Sequence, residues 1–299
     1  MTRRNLEAVS VAVGLLAIAA CSAQPVAPRP EPPLGPVPAI HVDADVRFPL
    51  DDHLLSPENR VVVRRGQDVL VQRCLRRFGF EMELPAREVD LVRGRVIGVV
   101  DPAEVAVHGY SDPETIESVR RAEQIRRAQK PWPEDMIAVL NGNGPEARKR
   151  GGVPEAGCLG EAQRALGLAA RSGGEPGDEN FVIGLSRDSS KLAEADSRVK
   201  EVWRKWSACM RGAGYDYTDP WGPNNEKRFG GDDASPEEIA TASADVACRT
   251  GHDVNGIWVA VRTAYQNRLI ADNAEALEKH RSRVDDQVRK ANEILSGGS

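Results

Sequence analysis

A chain of 299 residues, 40% hydrophobic and 28% charged, is long enough to bury one sizeable core or two small ones. Its net charge of −5 speaks against a nucleic-acid partner, which requires a concentrated basic face. Beyond the N-terminal stretch, no apolar run approaches the length of a membrane span.

The chain opens with Arg3 and Arg4, followed by the apolar run Val9–Ala20. That run is too short for a permanent transmembrane helix and reads as a signal peptide over residues 1–20. Ile18, Ala19 and Ala20 precede Cys21, which resembles the lipobox of bacterial lipoproteins, an aliphatic and two small residues before Cys. The resemblance implies cleavage before Cys21, a diacylglycerol on that residue, and residence at the extracytoplasmic face of the cell membrane. Two acyl chains suffice for stable anchoring, each buried methylene adding about 0.8 kcal/mol. An ordinary secretory signal cleaved nearby is the alternative. Loss of Arg3, Arg4 and Glu7 would leave the mature chain one unit more negative.

Ser22–Ile40 carries prolines at 25, 28, 30, 32, 33, 36 and 38. Such a stretch favours polyproline II, reaching about 3 Å per residue, and residues 21–50 are expected to form an acylated cysteine and stiff tether. The folded part is expected from Asp51 onward, as a first helical module over 51–177. Ser56-Pro57-Glu58 is a cap followed by proline at the first helical position, and Val63, Leu70, Cys74 and Phe78 mark one helical face running to Gly79. The Val61–Val63 run is β-prone and weakens the first turn.

Asp101-Pro102 and Asp112-Pro113 repeat the cap. The second predicts a solvated surface helix over Pro113–Gln129, rich in Arg and Glu with a thin apolar stripe. Trp132-Pro133 starts a short helix that ends in a loop at Asn141–Gly144. Pro154–Leu168 reads as a helix carrying Cys158, and Arg171–Asp178 as a glycine-rich joint.

The second module spans 178–299. Phe181–Leu185 and Lys191–Ala213 are expected as helix, with a break at Asp188–Ser190. Val199, Trp203, Trp206 and Met210 share one face, while Gly214 can take the left-handed exit and Tyr215 the apolar contact after it. Trp221–Asp233 is a polar loop. Ser235 and Glu238 fit a capping box. Val254–Leu295 reads as one helix of about 60 Å, whose second half has a stripe narrow enough for a coiled-coil seam. That helix packs within the chain or on a protein partner.

CLRRFGFEMELP from Cys74 aligns with CMRGAGYDYTDP from Cys209, matching Cys, Arg, Gly and Pro at Cys74/Cys209, Arg76/Arg211, Gly79/Gly214 and Pro85/Pro220. This is an internal repeat. An exported chain meets an oxidising compartment, so the four cysteines other than Cys21 are expected in two disulfides. Spacing leaves three connectivities open. The repeat favours Cys74–Cys158 and Cys209–Cys248, each stabilising by roughly 3–5 kcal/mol on the chain-entropy model.

No metal-ligand spacing appears among His41, His53, His108, His252 and His280, and no cofactor motif is present. Gly142–Gly152 lacks the strand, GK[ST] and helix of a phosphate loop. The acidic loop Asp216–Asp233 does not have calcium-loop spacing. Trp203, Trp206, Tyr215, Tyr217, Trp221 and Trp258 could line a ligand groove, although a small module also needs them as its core. A hydrolase would need converging carboxylates, for which Asp216 and Asp219 are the nearest pair.

The lipobox, the WSACM helix with its glycine-aromatic exit, and DVACR leading into a long C-terminal helix are similar to a group of actinobacterial secreted and lipid-anchored proteins. That resemblance implies location and disulfides and no chemistry. The sequence thus predicts a mainly α, loop-rich protein of two disulfide-stapled helical modules with a long C-terminal helix, acting by binding or scaffolding, without a cofactor.

Overall fold

The computed structural model describes residues 29–43, 46–82, 96–168, 179–229 and 233–297. The expected signal peptide, Cys21 and the first prolines of the tether lie outside them. Contacts divide the chain into Met1–Glu31 and Pro32–Ser299. Among the described residues the second unit is built from α-helices without a strand.

Twelve helices follow one another among those residues. They are α1 (Pro57–Arg77), α2 (Pro102–His108), α3 (Pro113–Ala128), α4 (Glu134–Asn141), α5 (Gly144–Arg150) and α6 (Gly157–Leu166), then α7 (Glu179–Ala195), α8 (Ser197–Gly212), α9 (Trp221–Asn224), α10 (Pro236–Gly251), α11 (Val254–Asp272) and α12 (Ala274–Ser296). A 3₁₀ turn at Pro49–His53 precedes them. The caps expected from sequence form: Ser56 Oγ accepts from Asn59 N, Asp101 from Ala103 N, Asp112 from Glu114 N and Thr115 N, and Ser235 from Glu238 N. The β-prone valines stay helical because Val61 and Val63 are buried on the packed face of α1. Helix α3 buries no residue, as its thin stripe predicts.

The two halves of the repeat end alike. Gly79 and Gly214 have φ of 81° and 96°, a region that costs glycine nothing. Phe80 N–H bonds Leu75 C=O at 3.1 Å, and Tyr215 N–H bonds Met210 C=O at 2.9 Å, the long return bond of a Schellman exit. Disulfides join Cys74 of α1 to Cys158 of α6 and Cys209 of α8 to Cys248 of α10, with Cα–Cα distances of 5.5 and 5.7 Å.

Several expectations are corrected. The packed body begins at Pro32 rather than Asp51, because Leu34, Ile40, Val46, Phe48 and Leu50 find apolar partners on the helices. The break between the central helices falls at Asp196: Ser189 and Ser190 bond back to Ser186 C=O and remain helical, whereas Asp196 caps Arg198 N. The Gly142–Gly152 stretch, expected to lack a helix, contains α5, and Trp221–Asn224 forms the short α9 inside the expected polar loop. The C-terminal helix is two helices. Asn273 interrupts it, its side-chain amide donating to Leu269 C=O at 2.7 Å and competing with the helical ladder.

The two halves also interleave. Helix α12, from the second half, packs along α1 and touches α6, whereas α2, from the first, packs on α10. Gly66 of α1 makes the first contact so close that an added Cβ would stand 3.0 Å from Ala291 Cα and Cβ. At the other end of α12, buried His280 shares a hydrogen bond of 2.8 Å between its Nε2 and His53 C=O, tying the 3₁₀ turn to the helix.

Gly66→Leu is therefore expected to force α1 and α12 apart and to destabilise the fold by about 1–3 kcal/mol, read as a lowered denaturation midpoint. Burial, with His280 and Arg281 nearby, holds half-buried His53 below the usual histidine range despite Asp52. The unfolded chain then binds that proton more tightly, so stability is full above the ordinary histidine pKa of about 6.5 and falls as pH drops through it. Urea titrations at neutral and mildly acidic pH should show this loss, and His53→Gln should shrink it.

Candidate functional site

The six aromatic residues considered for a groove go to two places. Trp206 is fully buried among Val202, Met210, Cys248 and Val254, and its indole N–H donates to Asp245 Oδ1 at 2.8 Å. Trp203, Trp221 and Trp258 pack on one another with centroids 5.4–6.4 Å apart, in the range of favourable aromatic pairs. Tyr215 and Tyr217 pack at the edge of the Trp206 cluster, and the Tyr217 hydroxyl donates to Glu226 Oε1 at 2.8 Å. Trp203 also borders an open hollow of about 390 Å³ with Lys200, Arg204, Ser207, Ala208, Arg211 and Thr218.

The two aspartates weighed for hydrolysis do not converge. Asp216 points to solvent, its Oδ1 3.6 Å from Arg211 Nε. Asp219 accepts from the N–H groups of Trp221 and Gly222 at 3.0 and 3.1 Å, and so opens α9.

The strongest polar constellation is one that sequence reasoning missed. Asp245 and Arg249, four residues apart on α10, form an ion pair of 2.7 Å with both side chains almost completely buried. Asp245 also accepts from Trp206 and, at 3.3 Å, from the Tyr110 hydroxyl. Burial and the Asp245 carboxylate push the Tyr110 phenol far above its usual pKa, which keeps it a neutral donor. Arg249 donates to Ile97 C=O, Pro220 C=O and Asn255 Oδ1 at 3.0, 2.6 and 3.1 Å.

This pair fixes irregular backbone. Residues 96–100 run through the core without regular structure, and buried peptide groups there need partners. Arg249 satisfies Ile97 C=O, Asn255 approaches Val99 C=O at 3.4 Å, and Asp43 accepts from the N–H groups of Val96 and Ile97. Gly98 makes room, since a Cβ there would meet Arg249 Nη1 at 3.1 Å. Glu238 is turned away from its expected capping box: its buried carboxylate accepts from Tyr110 N–H at 3.0 Å. A third buried acid, Asp196, bonds Arg198 and Tyr265. Burial works to raise its pKa, but those bonds outweigh it and hold the carboxyl below the ordinary range.

Two larger hollows lie on the surface. One, of about 610 Å³, holds His41, His108, Arg47 and five acids. Of these acids, Asp43, Asp101 and Asp112 are engaged with backbone N–H groups. Among the described residues, no group of three or more histidine, cysteine and acidic side chains is placed to hold a metal ion. The other, of about 730 Å³, lies along α11 and is mostly apolar. Comparison of the chain with protein-family models, curated proteins and solved structures gives no match.

Since each buried charge answers another, removing one partner strands the other. Asp245→Leu or Arg249→Met alone is expected to destabilise by about 3–5 kcal/mol, and the double variant by less than either single one. Chemical denaturation of the three proteins measures the difference.

Proposed function

We propose that this protein is a lipid-anchored component of the cell envelope, held at the extracytoplasmic face through acylated Cys21 and working by binding or scaffolding rather than catalysis. The observation that carries the reading is the lipobox ahead of a body braced by two disulfides, bonds that persist in oxidising compartments. The resemblance to actinobacterial secreted and lipid-anchored proteins supports the same placement. The binding reading draws on the way the buried acids are used: Asp245, Glu238 and Asp196 each hold a backbone segment or another side chain.

A scaffold needs a rigid frame more than it needs a reactive group, and the helices supply one. Ligand capture is the second reading, favoured by the mostly apolar hollow along α11. In both, partners meet the protein at the membrane surface, where the anchor raises their effective concentration.

Cells expressing the full chain with a clickable palmitate analogue should yield a labelled protein in the membrane fraction. Cys21→Ser should abolish the label and move the protein out of that fraction. A labelled Cys21→Ser protein, or an unlabelled parent chain, would overturn the anchor.

A further inference from the structure

Three cations share one narrow stripe of α8. Lys200, Arg204 and Arg211 stand at i, i+4 and i+11, which at 3.6 residues per turn places them within about 40° of one another around the axis and spreads them over about 17 Å along it. All three are exposed, and they line the open hollow of about 390 Å³ together with Trp203 and Ser207. Lys205, also exposed, stands beside them. The acids nearby do not cancel the stripe. Glu201 alone serves both Arg204 and Lys205, at 2.9 and 3.5 Å, and Asp216 lies 3.6 Å from Arg211. Lys200 pairs with neither acid. Four cations thus meet two carboxylates, on a chain whose net charge is −5. These ion pairs lie in water, where such pairs are weak and exchange readily for another anion.

Two further features choose the occupant. Trp203 edges the hollow, half-buried against Trp221 and Trp258, and an indole beside cations is the combination that a membrane–water interface favours. The chain that leads back to Cys21 also leaves from this helix. Pro32, the first residue of the packed body, accepts through its C=O from Arg198 at 3.0 Å, in the first turn of α8. Only residues 21–31 separate that point from the acyl group, and even full extension carries eleven residues no more than about 40 Å. The anchor therefore keeps α8 within reach of the bilayer, whereas nothing comparable brings a soluble polyanion to it.

We propose that the stripe of Lys200, Arg204 and Arg211 docks on the anionic surface of the bilayer, its cations at lipid phosphates and the edge of Trp203 at the headgroups. The anchored body then lies against the membrane instead of standing off it on its prolines. Ammonium and guanidinium groups hold phosphate oxygens through charge-assisted bonds, and each cation adds to the attraction toward an anionic leaflet. The choice of a bilayer as occupant rests on the anchored reading; the cationic stripe itself does not.

The test uses the chain from residue 21 onward, the form that cleavage before Cys21 leaves, carrying Cys21→Ser so that no acyl group contributes. It is sedimented with vesicles of phosphatidylcholine alone or of phosphatidylcholine and phosphatidylglycerol in equal parts. The protein should bind the mixed vesicles, come off them in high salt and ignore pure phosphatidylcholine. Lys200→Gln, Arg204→Gln and Arg211→Gln together should weaken binding on the order of 100-fold, about fivefold per cation, with the helical circular dichroism kept. The same three-charge loss on the exposed Arg64, Arg73 and Arg76 of α1, each changed to Gln, should cost less than about fivefold in total, because charges away from the contact are screened. Should the triple variant of α8 unfold, Lys200→Gln alone carries the test with its loss of about fivefold. Equal binding to both kinds of vesicle, insensitivity to salt, equal losses from the two triple variants, or binding of soluble dextran sulfate without binding of mixed vesicles would each overturn the proposal. Stripe-dependent vesicle binding with Cys21 unlabelled in cells would overturn the anchor alone, and a labelled Cys21 without vesicle binding would overturn the stripe alone.

Discussion

The Asp245–Arg249 pair is the interaction on which the helical frame depends. Two charges removed from water cost several kcal/mol each unless every remaining lone pair and proton is answered. Here they are answered by Trp206 of α8, Tyr110 after α2, Asn255 of α11 and two main-chain carbonyls. Several separate stretches of chain must be in place at once for the pair to be tolerated. The arrangement therefore gives specificity as much as stability: a register error in any of those stretches leaves a buried charge unmatched. The neighbouring disulfide between Cys209 and Cys248 holds α8 and α10 together, the two helices that carry Trp206 and the pair itself.

Packing across the halves shows why the repeat does not yield two separable bodies. Each copy keeps its helix exit, its bond to a later cysteine and a cluster around that bond, but neither buries all of its apolar faces alone. The first copy borrows α12 to cover α1, with Val63, Leu166 and Ala291 meeting in one cluster. The second borrows α2 and residues 96–100, whose Val99 and Val105 join Ala242 and Val246. The disulfides lie within the copies, each with an apolar cluster of its own around it, and further clusters run between them.

Local chemistry was legible from sequence and distant chemistry was not. Ser56, Asp101, Asp112 and Ser235 announce helix starts because a cap needs only its own next three residues. Gly79 and Gly214 announce exits for the same reason. Asp245 and Arg249 are also four apart, but that spacing looks the same on a solvated helix face; only the segments folded over them make them a core. Glu238 shows the limit well, since its position fits a capping box and its actual partner is Tyr110, 128 residues away. The hollow along α11 is lined in part by prolines that read as a tether. The tryptophans were recognised as large apolar groups, and their mutual packing, one pair stacked and two edge-on, followed from neighbours that no local pattern specifies.

The covering of α1 by α12 sets an order of events. A ribosome completes α12 more than 200 residues after α1, and contacts of such sequence separation form slowly. Until α12 emerges, Gly66 lacks the helix that it closes against, although α1 can already meet α6. That face of α1 thus stays open until α12 has been made. For an exported protein such as we propose, that delay is useful, since helices that have not yet closed on one another remain threadable.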